Sequence, residues 1–153
     1  MRAAALAFGA AMVAASVGPA AAQPAGEAMT PEEATAKICS GCHSTQIVMD
    51  TPRDYDAWHQ TVQDMIDRGA QGTQDDFALV MQFLYENMTT IDVNHADEED
   101  LMTILKTTKP VADAIIARRS KKAFKDIADL ENAVPGLDAA LLEAKKRMIH
   151  FQQ

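Results

Sequence analysis

The chain has 153 residues, 48% of them hydrophobic, with 22 acidic against 14 basic side chains and a formal net charge of −8. That balance disfavours a protein that grips phosphate backbones through bulk charge. After residue 22 no stretch is long and apolar enough to span a bilayer, which requires roughly 20 strongly apolar residues.

The chain starts MRAAALAFGAAMVAASVGPAAAQ, with one positive charge at Arg2, an alanine-rich apolar run and the small triplet Ala20-Ala21-Ala22. This layout predicts a secretory signal peptide over 1–22, cleaved after about Ala22, and export to the periplasm of a mature protein without a membrane span. The alternative is an uncleaved N-terminal anchor, for which a run broken by Gly9, Gly18 and Pro19 is a poor candidate. Residues 23–153 suffice for one ordinary domain or two very small ones.

The first predicted helix lies in MTPEEATAKICSGCH, with Thr30 as N-cap, Pro31 in the first turn and Glu33 closing a capping box. It delivers residues 39–43, CSGCH, which hold both cysteines of the chain. In an exported protein two cysteines commonly pair, but a bridge across two residues closes a tiny loop and gains little chain entropy. A thioredoxin-like redox site needs a β-α-β setting, and no strands are predicted around it. The adjacent histidine points elsewhere. Cys-x-x-Cys-His is the attachment signature of c-type haem, in which two thiols add to the vinyl groups and the histidine binds the iron. Cys39, Cys42 and His43 are therefore the expected binding residues for one covalent haem c, with His43 as the proximal metal ligand.

A second helix follows in TPRDYDAWHQTVQDMIDRGA, with Trp58, Val62, Met65 and Ile66 on one face and Gly69 as C-cap. A third, in TQDDFALVMQFLYENM, has Thr73 as N-cap, Asp76 three residues on, and an apolar stripe of Phe77, Val80, Met81, Leu84 and Tyr85. Three helices in so few residues bury little core, so an apolar macrocycle would serve as their centre.

The order CxxCH, then W-x-x-x-V-x-x-M ending in Arg68-Gly69, then a helix with Phe83-Leu84 resembles the small class I c-type cytochrome domains over roughly residues 30–88. The resemblance implies a haem domain over 23–90 and suggests that the helix carrying Met65 faces the open side of the haem. A thioether in the sixth position raises the reduction potential and closes the iron to exchange. Met65 is the first choice for that distal ligand, followed by Met49, Met81 and His59, with an open site as the remaining case.

From residue 91 the pattern changes to a short extended Ile91–Asn94 and four helices at about 97–105, 110–122, 126–133 and 138–149. Asp97 and Pro110 are their opening signals, and Leu101, Ile104, Leu105, Ile115, Ile116, Phe124, Ile127, Leu130, Val134, Leu137, Leu141 and Leu142 supply a core. A separate helical domain over 91–153 is expected, joined at Thr89-Thr90. The segments I-x-V-N-x-A, A-x-x-I-I-A-x-R at Ala112–Arg119, F-K-x-I-x-D-L at Phe124–Leu130 and V-x-G-L at Val134–Leu137 resemble the tandem helix-hairpin-helix repeat of exported competence-type DNA receptors. DNA-binding members use glycine-rich hairpins that let backbone N–H groups approach phosphates. Here the first hairpin, LKTTKP, has no glycine. The second, VPGLDAA, keeps Gly136 but puts Asp138 where a second glycine is expected, so the family's DNA contacts do not carry over.

Charge is uneven along the chain. Residues 23–90 hold three basic and eleven acidic side chains, and residues 91–153 ten and eleven. The acidic haem half favours a partner with a basic docking face, whereas the basic run Arg118–Lys125 is a solvated helix end, a docking patch or a residual nucleic-acid contact. No nucleophile elbow, glycine-rich nucleotide loop or second metal cluster is present, so no catalytic residues are assigned and an enzyme is not expected. The sequence thus predicts an all-α, exported electron carrier or haem subunit whose C-terminal half packs or docks. The alternatives are a haem-tethered DNA-binding or uptake accessory, and a haem enzyme or gas sensor with an open distal site.

Overall fold

Most helix starts coincide with a side chain able to cap them. In the computed structural model, which describes residues 28–153, α1 (Pro31–Cys39) opens on a complete Thr30–Glu33 capping box with Pro31 in its first turn. Asp54 caps α3 (Tyr55–Asp67) and a Thr73–Asp76 capping box opens α4 (Gln74–Met88). Each cap satisfies backbone N–H groups that the first turn leaves without partners. A one-turn helix, α2 (Gln46–Met49), follows His43, and it has no side-chain cap. At the end of α3 the C-cap is Arg68, and Gly69 follows it with φ of +95°. Glycine enters that left-handed region without the penalty a Cβ would impose. The expected signal peptide lies outside the described residues.

Helices α1 and α3 both pack on α4. Their shared core holds Ala34, Val48, Trp58, Val80, Phe83, Leu84 and Met88.

The C-terminal half starts with β1 (Ile91–Asp92) and continues through α5 (Glu98–Ile104), α6 (Lys109–Arg119), α7 (Ile127–Ala133) and α8 (Ala139–Ala144) to β2 (Ile149–His150). The molecule is thus mostly helical, with eight helices among the described residues, but it also carries a two-stranded parallel sheet in which Ile91 faces Ile149. The helix expected to run from 138 to 149 therefore stops at Ala144. Hydrogen bonds from Ile91 N to Met148 O and from Val93 N to His150 O hold the chain end extended instead. The segment expected at 110–122 likewise ends at Arg119, where Ser120 caps it. Of the expected core, Leu101, Ile104, Leu105, Ile115, Phe124, Leu130, Val134 and Leu142 are all at most 2% exposed, whereas Ile116, Ile127, Leu137 and Leu141 are only partly covered. Asn94 locks this core from the side, donating from Nδ2 to Phe124 O and Gln152 O at 2.9 Å each and accepting from Phe124 N at 2.8 Å.

The junction at Thr89-Thr90 is a packed seam. Thr89 is 2% exposed, and its hydroxyl donates to Leu84 O at 2.9 Å. Across the seam, Tyr85 on α4 donates its hydroxyl to Asp100 on α5 at 2.7 Å. Lys145 is 5% exposed and donates to two carbonyls near helix ends, Glu86 O of α4 and Ile104 O of α5. A cation suits the carbonyl end of a helix.

Candidate functional site

The C-terminal end of α1 carries Cys39, and a tight turn places Cys42 and His43 beyond it. Ser40 N donates to Ala36 O and Gly41 N to Ile38 O, which closes that turn. Both cysteines are free thiols; Cys39 is half-buried and Cys42 exposed. Burial pushes the Cys39 thiol above its ordinary value, because the low dielectric disfavours the thiolate. His43 is exposed, with Nδ1 3.1 Å from Ser44 O. In the tautomer that donates from Nδ1 to that carbonyl, Nε2 is left free as a ligand atom.

These three residues line a cleft of about 330 Å³. Ile38, Val48, Trp58, Val62, Met65, Phe77, Val80 and Leu84 form its apolar wall. Trp58 is fixed there by donation from Nε1 to Met88 O at 3.0 Å. A volume above about 300 Å³, largely apolar and with few polar groups, is typical of a small-molecule or cofactor site.

Of the four residues named for haem, Cys39, Cys42, His43 and Met65 all face this one cleft. The other distal candidates are elsewhere. Met49 is 38% exposed and lines a separate shallow groove with Thr30, Phe83 and Lys106. Met81 packs against the α1–α4 core, while His59 is exposed and its ring lies tilted beside Tyr55, with ring centroids 6.2 Å apart. Among the described residues no group of three or more His, Cys, Asp or Glu side chains is arranged to hold a metal ion directly. That is compatible with a c-type haem site, where the thiols bond to the macrocycle and only the histidine and a thioether face the metal. Two free thiols, an imidazole and a thioether around one apolar cleft make a donor set that fits this group.

Sequence reasoning missed two further cleft residues, Arg53 and Arg68. A signal for them was present, since residues 23–90 contain only three basic side chains, Lys37, Arg53 and Arg68. The guanidinium of Arg53 lies over the Trp58 ring, 5.7 Å from its centroid.

In the C-terminal half the two hairpins differ. At the first, Lys106 takes φ of +48° while Thr107 N donates to Met102 O, a Schellman-type helix end with lysine where glycine is preferred. Its ammonium donates to Asn87 Oδ1 at 3.0 Å, so this hairpin is turned against α4. At the second, Gly136 has φ of +97°, and Asp138 Oδ1 accepts from Ala140 N at 2.9 Å and Leu141 N at 3.2 Å. A carboxylate of the chain itself thus covers N–H groups that open α8. The basic run also splits. Arg119 donates to Val93 O at 2.7 Å, and Arg118 pairs with Asp129 at 3.5 Å and lies over Phe124. Lys121, Lys122 and Lys125 remain exposed.

A family model of the helix-hairpin-helix motif matches residues 86–150. No curated protein and no solved structure matches the chain. The C-terminal half carries a helix-hairpin-helix motif, and its match begins inside α4, on the N-terminal side of the seam.

Proposed function

We propose that the protein is an exported, periplasmic c-type cytochrome that serves as an electron carrier or haem subunit. The observation that carries this is the convergence of Cys39, Cys42, His43 and Met65 on one apolar cleft. Haem held there would supply one-electron chemistry at its iron. Cys39 and Cys42 would tether it, His43 would be the proximal ligand, and Met65, borne on the ordered helix α3, would close the distal position. A ligand on a regular helix limits rearrangement when the iron changes charge. Trp58, Val62, Phe77 and Leu84 exclude water from the buried side of the cleft. The acidic N-terminal half would steer a redox partner with a basic docking face.

The helix-hairpin-helix half would serve as an internal packing module. Helix-hairpin-helix segments can engage DNA or protein, but here Lys106 is turned to Asn87 and Asp138 caps α8. Both features weigh against phosphate contact.

The test is the optical spectrum of haem-loaded protein. Met65→Ala should abolish the long-wavelength sulfur-to-iron charge-transfer band of the oxidised form and allow the reduced form to bind carbon monoxide. Met49→Ala and Met81→Ala should leave the band in place. Wild-type protein that lacks the band and binds carbon monoxide readily would have an open iron, as an enzyme or gas sensor does.

A further inference from the structure

Among the described residues, three cations of the C-terminal half donate to oxygen atoms of the N-terminal half. Lys106 and Lys145 meet the last turn of α4, at Asn87 Oδ1 and Glu86 O. Arg147 reaches a different place. Its guanidinium donates to Asp50 O at 2.8 Å, across 97 residues of chain. Asp50 is the C-cap of α2, and its carboxylate is turned back to Gln46, whose Nε2 donates to Oδ1 at 2.9 Å. The carbonyl is therefore the atom that Arg147 holds, and Arg147 forms no ion pair among the described residues. Helix α2 has little else to order it. It is four residues long and has no side-chain N-cap, and a single turn gains too few backbone bonds to be stable by itself. Yet it bears directly on the cleft. Ile47 and Val48 line the cleft wall. The chain reaches them from His43 through Ser44, whose carbonyl lies 3.1 Å from His43 Nδ1 and whose hydroxyl accepts from Gln46 N at 3.2 Å.

We propose that Arg147 is a positioning residue through which the helix-hairpin-helix half fixes α2, and with it one wall of the cleft and the chain that follows His43. A carbonyl at a helix end has no partner within the helix, and a cationic donor satisfies it with a charge-assisted bond stronger than a neutral one. Arg147 is itself firmly based. Two residues before it, the buried Lys145 holds Glu86 O and Ile104 O. One residue after it, Met148 is 8% exposed and its carbonyl accepts from Ile91 N at 2.8 Å. The clamp thus runs from the C-terminal core to the cleft without placing a side chain of that half in the cleft lining. Its bearing on the iron rests on the cytochrome reading. The hold on α2 does not, and it is read separately.

The test compares wild type with Arg147→Gln, Arg147→Lys and Lys146→Gln, each as full-length protein matured in a host able to attach haem, with haem content read from intact mass. Hydrogen exchange at the Val48 and Asp50 amides, which donate to Thr45 O and Gln46 O, reports on α2. In Arg147→Gln these two amides should exchange roughly tenfold faster, in keeping with the loss of one hydrogen bond from a charged donor. The Ile91 and Leu130 amides, bonded to Met148 O and Asp126 O, should not change. Arg147→Lys keeps a single cationic donor and should accelerate exchange at α2 only about two- to threefold. Lys146→Gln removes the same charge one residue away and should match wild type. In haem-loaded protein the reduction potential should fall in Arg147→Gln and return toward wild type in Arg147→Lys, because a looser α2 admits water to the cleft. Unchanged α2 amides in Arg147→Gln, equal acceleration at Ile91, or the same effect in Lys146→Gln would overturn the clamp. Should Arg147→Gln fail to fold, the difference between Arg147→Lys and Lys146→Gln decides, and its absence overturns the clamp equally. Faster α2 exchange with an unchanged potential would overturn the link to the iron. A chain without covalent haem whose α2 amides still respond to Arg147 would support the clamp and sink the cytochrome reading alone.

Discussion

The two halves of the molecule contain similar short helices, yet only one of them closes on itself. In the C-terminal half the large apolar side chains meet one another, with Phe124, Leu101, Ile115 and Leu130 at 0% exposure. In the N-terminal half Met65, Val62 and Phe77 are only partly covered and face a cleft of about 330 Å³. The difference does not lie in helix quality, since both halves have capped helices. It lies in what the apolar faces have to pack against. The C-terminal half supplies its own partners, whereas in the N-terminal half part of the apolar face lines an open cleft.

The largest test of this contrast uses the same substitution in each half. Phe124→Ala should cost about 3–5 kcal/mol of stability, as expected for a buried phenylalanine in a closed core. Phe77→Ala, at the cleft wall, should cost only about 1 kcal/mol in protein without haem, because less of its surface is already removed from water. Urea unfolding of the two variants measures both. Equal losses would mean that the N-terminal half is as closed as the other.

The seam offers a sharper probe, through pH. Burial pushes the Lys145 ammonium down to about 8, with the nearby charge of Lys106 acting in the same direction. The folded state then binds fewer protons than the unfolded chain between about pH 8 and the ordinary lysine value. Stability should therefore rise with pH across that window, and Lys145→Met should flatten the rise. A melting temperature that falls with pH over the same range in wild type, with Lys145→Met unchanged from it, would contradict this.

The smallest expected effect is at the first hairpin. Lys106 holds a left-handed backbone conformation that glycine adopts freely. Lys106→Gly should stabilise the protein by about 0.5–1 kcal/mol, net of the exposed bond to Asn87. A loss of stability would mean that this bond, which ties the hairpin to α4, outweighs the backbone strain.

Much of this contrast was legible in the residues. Thr30, Thr73 and Asp97 stand at helix starts because their side-chain oxygens reach the free N–H groups of the first turn, and capping is a local signal; the same local signal at Asp54 and Asp138 went unread. The resemblance suggested that the helix carrying Met65 faces the CxxCH side, and Met65 lines the same cleft as Cys39, Cys42 and His43. Other features depend on contacts between distant residues. The parallel pairing of Ile91 with Ile149 is set by chain ends that periodicity along either segment cannot bring together. Lys145 resembles any solvated lysine until Glu86 and Ile104 present their carbonyls to it. Likewise, Arg118 and Arg119 belong to a basic run on paper, but Asp129 and the Val93 carbonyl draw them inward.

We propose that haem bonded to Cys39 and Cys42 completes the N-terminal cleft. The most direct measurement is the intact mass of protein matured in a periplasm able to attach haem, taken after acid–acetone extraction. The expected result is one haem retained per chain, lost to extraction when both cysteines are replaced by alanine and retained in Met65→Ala. A wild-type protein that carries no covalent haem, with Cys39 and Cys42 recovered as thiols or as a disulfide, would contradict it.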